Sequence, residues 1–88
     1  MRVVLIEIMQ AEAQKRIFDR LRKHYGVGSV ALGRLFDISR ASMYRYEHGQ
    51  LVLPMETGIR IEKVSRGVVQ RHEIFPAMFS GYVREDGE

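Results

Sequence analysis

Between residues 25 and 54 the chain is interrupted at short intervals, and that spacing limits its fold more than any other feature. Gly26 and Gly28, then Asp37-Ile38-Ser39, then Gly49 and finally Pro54 stand as successive stops. Glycine ends a helix by adopting positive φ, serine caps the next one, and proline opens one. The segments between these stops fit only short helices: residues 29–36, with Ser29 as cap, and residues 40–48, capped by Ser39 and closed by Gly49. A longer amphipathic helix precedes them at residues 10–24, where Ala13, Ile17, Phe18 and Leu21 recur at helical spacing. A fourth helix follows Pro54 at residues 55–65, with Ile59, Ile61, Val64 and Met55 as its buried side, and Arg66-Gly67 ends it. Val68-Val69 is short and β-prone, and residues 70–79 hold a last helical turn or two around Pro76.

Residues 3–9 are ambiguous. Val4, Ile6 and Ile8 alternate as in a strand, which favours a short N-terminal strand, yet nothing caps a new helix at residue 10, which leaves an extension of the first helix into this segment as the alternative. This apolar stretch oversupplies a small core. It either covers one side of the domain or joins Val68-Val69 and residues 75–79 in a subunit interface. The expected organisation is an apolar segment at 1–9, a domain at 10–79 and a flexible acidic tail at 80–88. With 88 residues there is room for one core and not two.

Composition excludes several functions. Without cysteine there is no thiolate zinc site, disulfide framework or cysteine nucleophile. His24, His48 and His72 are too far apart in sequence to suggest a metal set, and Ser39 has no strand–turn–helix elbow around it, so the chain reads as neither metalloprotein nor enzyme and needs no cofactor. The methionines read as core filler. The apolar run near the N-terminus is too short to span a bilayer, and with only Arg2 before it and Glu7 inside it makes a poor signal peptide. A cytoplasmic protein without membrane contact is expected.

Charge is unevenly spread. Residues 10–24 carry five bases and two acids, residues 25–54 three and two, and residues 55–88 five and six. The N-terminal half is therefore the positive one. Lys15, Arg16, Arg20, Arg22 and Lys23 read first as the wet face of the first helix, one or two of them being secondary candidates for contact with a polyanion.

Residues 29–49 meet the demands of two helices packed at a wide angle across a tight turn. Gly33 supplies the small residue where the second helix crosses the first. Leu32, Phe36, Ile38, Met43 and Tyr46 supply an apolar wedge beneath the angle, and Val30 and Leu35 add to the buried side. What remains on the second helix is polar and outward: Arg40, Ala41, Tyr44 and Arg45. Tyr44 has a competing role in packing on a neighbour. Glu47 reads as a structural residue that pairs locally, with an arginine as partner.

Gly-Ser-Val-Ala-Leu-Gly-Arg-Leu-Phe-Asp-Ile-Ser at 28–39, Met-Tyr-Arg-Tyr-Glu-His-Gly at 43–49 and Pro54 together resemble the lambda-repressor-like (XRE-type) helix-turn-helix superfamily. Residues 61–74, Ile-Glu-Lys-Val-Ser-Arg-Gly-Val-Val-Gln-Arg-His-Glu-Ile, resemble more narrowly its Cro/YdaS-like subgroup. The resemblance spans about residues 12–79. Two positions depart from the pattern: Asp37 replaces the usual turn glycine, so it must adopt or avoid a left-handed conformation, and Gly33 replaces the usual alanine.

The resemblance implies a mainly α, four-to-five-helix lambda-repressor-like DNA-binding domain. The helix from Arg40 would lie in the major groove, with Arg40, Ala41, Tyr44 and Arg45 at or near base edges. An arginine fork matches guanine O6 and N7, and alanine can meet a thymine methyl. Ser29, Ser42, His48 and Gln50 would contact the DNA backbone, which positions without specifying. It further implies a Cro-like transcriptional repressor of a phage or prophage switch. The same subgroup also serves as antitoxins that bind a toxin partner and their own operator. A third reading is a protein-interaction module that has lost DNA binding. One such module buries only roughly 600–1,000 Å² on DNA, so a homodimer on a near-palindromic operator is expected.

Overall fold

The computed structural model describes residues 2–79, with side chains from residue 8 onward. Five helices follow one another: α1 (Arg2–Tyr25), α2 (Ser29–Leu35), α3 (Arg40–Glu47), α4 (Met55–Val64) and α5 (Arg71–Ile74). The fold is mainly α, and there is no strand among the described residues. The expected N-terminal strand is instead the first two turns of α1. Alternation misleads there because residues 3–6 are all apolar, so the run fits either period. Val68-Val69 likewise forms a bend, with Val69 in the core. The acidic tail at 80–88 lies outside the described residues.

α1 is the spine. Gln10, Ala13, Gln14, Ile17, Phe18 and Leu21 form one buried stripe along it, and α2, α3 and α5 all pack on it. The stripe's steps of three and four residues match one face of an α-helix. Leu32, Phe36, Ile38, Met43, Tyr46, Leu53, Ile61, Val69, Ile74 and Phe75 complete the core. Gly26 ends α1 with φ of 67°, and its N–H donates to the Arg22 carbonyl at 2.8 Å.

Burial differs from expectation at several positions. Val30 and Leu35 are exposed, because a seven-residue helix turns only the Leu32–Gly33–Phe36 side inward. On α4 only Ile61 of the four expected residues is fully buried. Val64 and Met55 are exposed and Ile59 is intermediate, their places being taken by Thr57 and Gly58. Gly58 allows the Phe75 ring to lie directly on α4, since a Cβ there would sit 2.3 Å from Phe75 Cε2. Of the described methionines only Met43 is core, while Met9, Met55 and Met78 face solvent.

Candidate nucleic-acid interface

α3 starts cleanly. Ser39 is its N-cap, with the Oγ accepting from the Ser42 N–H at 3.2 Å. Just before it, Asp37 takes the left-handed conformation (φ 58°), the strained alternative of the two open to it. The turn is then closed by the Ile38 N–H donating to the Gly33 carbonyl at 2.8 Å. Gly33 also lets the two helices touch. A Cβ at this position would lie 2.7 Å from Met43 Cγ and 2.8 Å from the Ile38 carbonyl oxygen. Leu32, Phe36, Ile38, Met43 and Tyr46 fill the space beneath α3, as the spacing predicts.

α2 begins differently from expectation. Its N-cap is Gly28, which is extended and makes no side-chain cap bond. Ser29 is already helical, and its hydroxyl is drawn to a partner eighteen positions away, donating to Glu47 Oε2 at 2.9 Å. Arg22 also donates to Glu47 Oε2 and forms an ion pair with it, so one carboxylate ties α1, α2 and α3 together. The arginine expected to pair with Glu47 is thus Arg22. A residue drawn inward in this way leaves its main chain, and not its hydroxyl, for any outside partner.

The outward side of α3 carries Arg40, Ala41, Tyr44 and Arg45, all exposed. No acidic group lies within ion-pairing distance of Arg40 or Arg45 among the described residues. Tyr44 stacks on His48 with ring centroids 4.0 Å apart and an interplanar angle of 24°. His48 Nδ1 lies 2.8 Å from the Tyr44 carbonyl oxygen, so both rings are held while Tyr44 keeps 55% of its surface exposed. A shallow hollow lined by Ser29, Val30, Arg40, Met43, Tyr44, Glu47 and His48 runs between the start of α2 and α3. Ser42 is partly covered, and Gln50 is exposed just past the end of α3.

The bases of α1 separate into two groups. Arg20 pairs with Glu73 at 2.8 Å, Arg22 with Glu47, and Lys23 with Asp19 at 3.1 Å. Lys23, through its hydrogen bond and its charge, holds the Asp19 carboxyl below its ordinary value. Lys15 and Arg16 make no ion pair among the described residues. Lys15 reaches the end of α3: its Cε is 3.6 Å from where a Gly49 Cβ would stand.

The far end of α3 is anchored by a residue that the apolar pattern of α1 does not single out. Gln14, 1% exposed, donates from Nε2 to the carbonyls of Tyr46 and Leu51, each at 2.9 Å. Its Oε1 accepts from the Leu53 N–H at 2.9 Å and from Gln10 Nε2 at 3.0 Å. Gln10 in turn donates to the Ile74 carbonyl at 2.7 Å. The available signal was two glutamines four apart, in register with the apolar stripe of α1.

Among the described residues no three His, Asp or Glu side chains come together as a metal site, and no helix is long and apolar enough to cross a membrane. Compared with protein-family models, with curated proteins and with solved structures, the chain matches none of them.

Proposed function

We propose that this chain is a sequence-specific, double-stranded-DNA-binding transcriptional regulator of the lambda-repressor-like helix-turn-helix type. It acts in the cytoplasm as a Cro-like repressor and binds a near-palindromic operator as a homodimer. One observation carries the reading: α3 packs closely on α2 at Gly33, and its exposed side presents Arg40 and Arg45 with no acidic partner among the described residues. A guanidinium left without a carboxylate on the exposed side of a short helix suits a polyanion with acceptor-bearing base edges. A module whose helix-turn-helix served only protein contacts would need an apolar or acidic face there.

In this reading Arg40 and Arg45 donate to base edges. Ala41 permits close approach, and Tyr44, braced by His48, presents a flat edge to the groove. Ser42, His48, Gln50 and the main chain at Ser29 contact phosphates on either side, joined by Lys15 at the end of α3.

The test is selection of bound duplexes from a random pool, followed by titrations at two salt concentrations. Two half-sites about one helical turn apart are expected. Arg40→Ala should weaken the preferred site about 10- to 100-fold and relax choice at one base pair. An equal loss on every duplex would make Arg40 a phosphate contact, and no binding at low salt would refute the function.

A further inference from the structure

The C-terminal end of α3 carries an exposed side chain that can exist with or without charge. His48 is the C-cap of the helix. Its backbone N–H donates to the Tyr44 carbonyl oxygen at 3.0 Å, and its ring Nδ1 lies 2.8 Å from the same atom. That oxygen can only accept, so Nδ1 carries a hydrogen whether the ring is neutral or charged. In the neutral ring Nε2 is then a bare lone pair, and only a second proton turns it into a donor. Turning the ring over would break the bond to the carbonyl. What His48 can offer a ligand is therefore set by one proton at one atom.

The groups around it leave that proton without an anion of the chain's own. To the hollow between α2 and α3, α2 contributes Ser29 and Val30, and α3 contributes Arg40, Met43, Tyr44 and Glu47 beside His48. Arg45 stands three positions before His48 on α3. From α1, Arg22 reaches Glu47 and Lys15 reaches Gly49. Glu47 is the one acid among these groups, and Arg22 and Ser29 already share its Oε2. Glu12 and Asp19 line a different hollow, along α1, together with Lys15 and Arg16. No carboxylate pairs with His48 among the described residues.

We infer that His48 is a proton-dependent phosphate contact: binding of DNA draws a proton from solvent onto Nε2, which then donates to a backbone phosphate oxygen, so the chain holds DNA more tightly as pH falls. This rests on the proposed function and adds a regulation to it. The neutral ring would turn a lone pair towards an anionic oxygen, whereas the imidazolium makes a charge-assisted hydrogen bond with it. The ring also stacks on Tyr44, with centroids 4.0 Å apart, and a cation over an aromatic face is attracted to it. The same proton therefore tightens the brace on Tyr44.

The test is the affinity for a random-sequence duplex of about 20 base pairs, two half-sites long, across the histidine range and at two salt concentrations. A contact worth about tenfold, switched by a group of a kind that titrates between about pH 5 and 8, should leave each bound chain about fivefold weaker at pH 8 than at pH 6. The salt dependence should be shallower at the higher pH by about one released ion per chain. A phosphate contact is blind to sequence, so a selected duplex should show a pH effect of the same size. His48→Gln should bind weakly and lose the effect. His48→Arg, charged throughout, should bind at the higher pH as the native chain does at the lower. His24→Gln and His72→Gln should keep the effect, since neither residue lines the α2–α3 hollow. Equal binding at both pH values, an effect that persists in His48→Gln, or one confined to the selected duplex would overturn the inference and leave the proposed function standing. If neither the native chain nor His48→Arg binds any duplex at any pH, both fall.

Discussion

Replacing Gln14 with leucine isolates the polar anchor beneath α3. The side chain is close in size, so no large cavity results, and what changes is hydrogen bonding. Four bonds are lost, but they do not count equally. The Tyr46 carbonyl still accepts from the Gly49 N–H at 3.3 Å, and Gln10 still donates to the Ile74 carbonyl. The Leu51 carbonyl belongs to an exposed residue, and water can replace part of its bond. The Leu53 N–H belongs to a residue only 2% exposed and loses its acceptor. A buried donor without a partner costs about 1–3 kcal/mol. Adding a smaller amount for Leu51, the expected loss is about 2–3 kcal/mol. At about 0.05–0.15 kcal/mol per residue the whole chain has on the order of 4–13 kcal/mol, so the variant should melt some 10–20 °C lower. Urea unfolding followed by circular dichroism should show a lower midpoint at unchanged slope. Gln14→Glu is the companion variant: its carboxylate would face two carbonyl oxygens. It should therefore be least stable at neutral pH and recover as acid protonates the group and restores a donor. A Gln14→Leu midpoint within about 0.5 kcal/mol of native would refute the assignment of Gln14 as an anchor.

Gly33→Ala sets helix propensity against packing. Alanine gains about 0.5–1 kcal/mol in a helix, but its Cβ must displace the Ile38 carbonyl and Met43, and overpacking costs about 1–3 kcal/mol. A net loss of about 1 kcal/mol in urea unfolding is expected, and a gain would contradict the close approach of α2 and α3. For Glu73, partial burial pushes the carboxyl up, but the hydrogen bonds from Arg20 and the Gln70 N–H and the Arg20 charge outweigh it and leave it lowered. A lowered folded-state value means the contribution is present above the ordinary 4.5 and is lost as pH falls through the folded value. Glu73→Gln should accordingly cost up to about 1 kcal/mol at neutral pH and nothing once the native carboxyl is protonated; an equal cost at both pH values would rule out the ion pair as its source.

The α2–turn–α3 unit was legible because its determinants are local. Ser39 caps three residues ahead, Gly49 takes its positive φ, and the wedge residues recur at helical spacing. What escaped depends on distant partners. Ser29 has the chemistry of a cap, but Glu47 captures its hydroxyl, a choice visible only once α1 brings Arg22 to the same carboxylate. Gln10 and Gln14 look out of place on an apolar stripe until the 50–53 loop folds over them. Gly58 reads as a weak helix residue until Phe75 lies on it. The start of α1 defeats periodicity outright, since a run without polar residues has no face to detect. For the candidate interface, the exposure of Arg40, Ala41, Tyr44 and Arg45 followed from the pattern, whereas the Tyr44–His48 stack and the reach of Lys15 did not.

The most direct measurement is amide chemical-shift mapping of the ¹⁵N-labelled chain during titration with a selected duplex. The largest changes should fall on Arg40, Ala41, Tyr44 and Arg45, with smaller ones at Ser29, Ser42, His48 and Gln50. Changes centred on α4 and α5, or a spectrum that no duplex perturbs at low salt, would contradict the proposed interface.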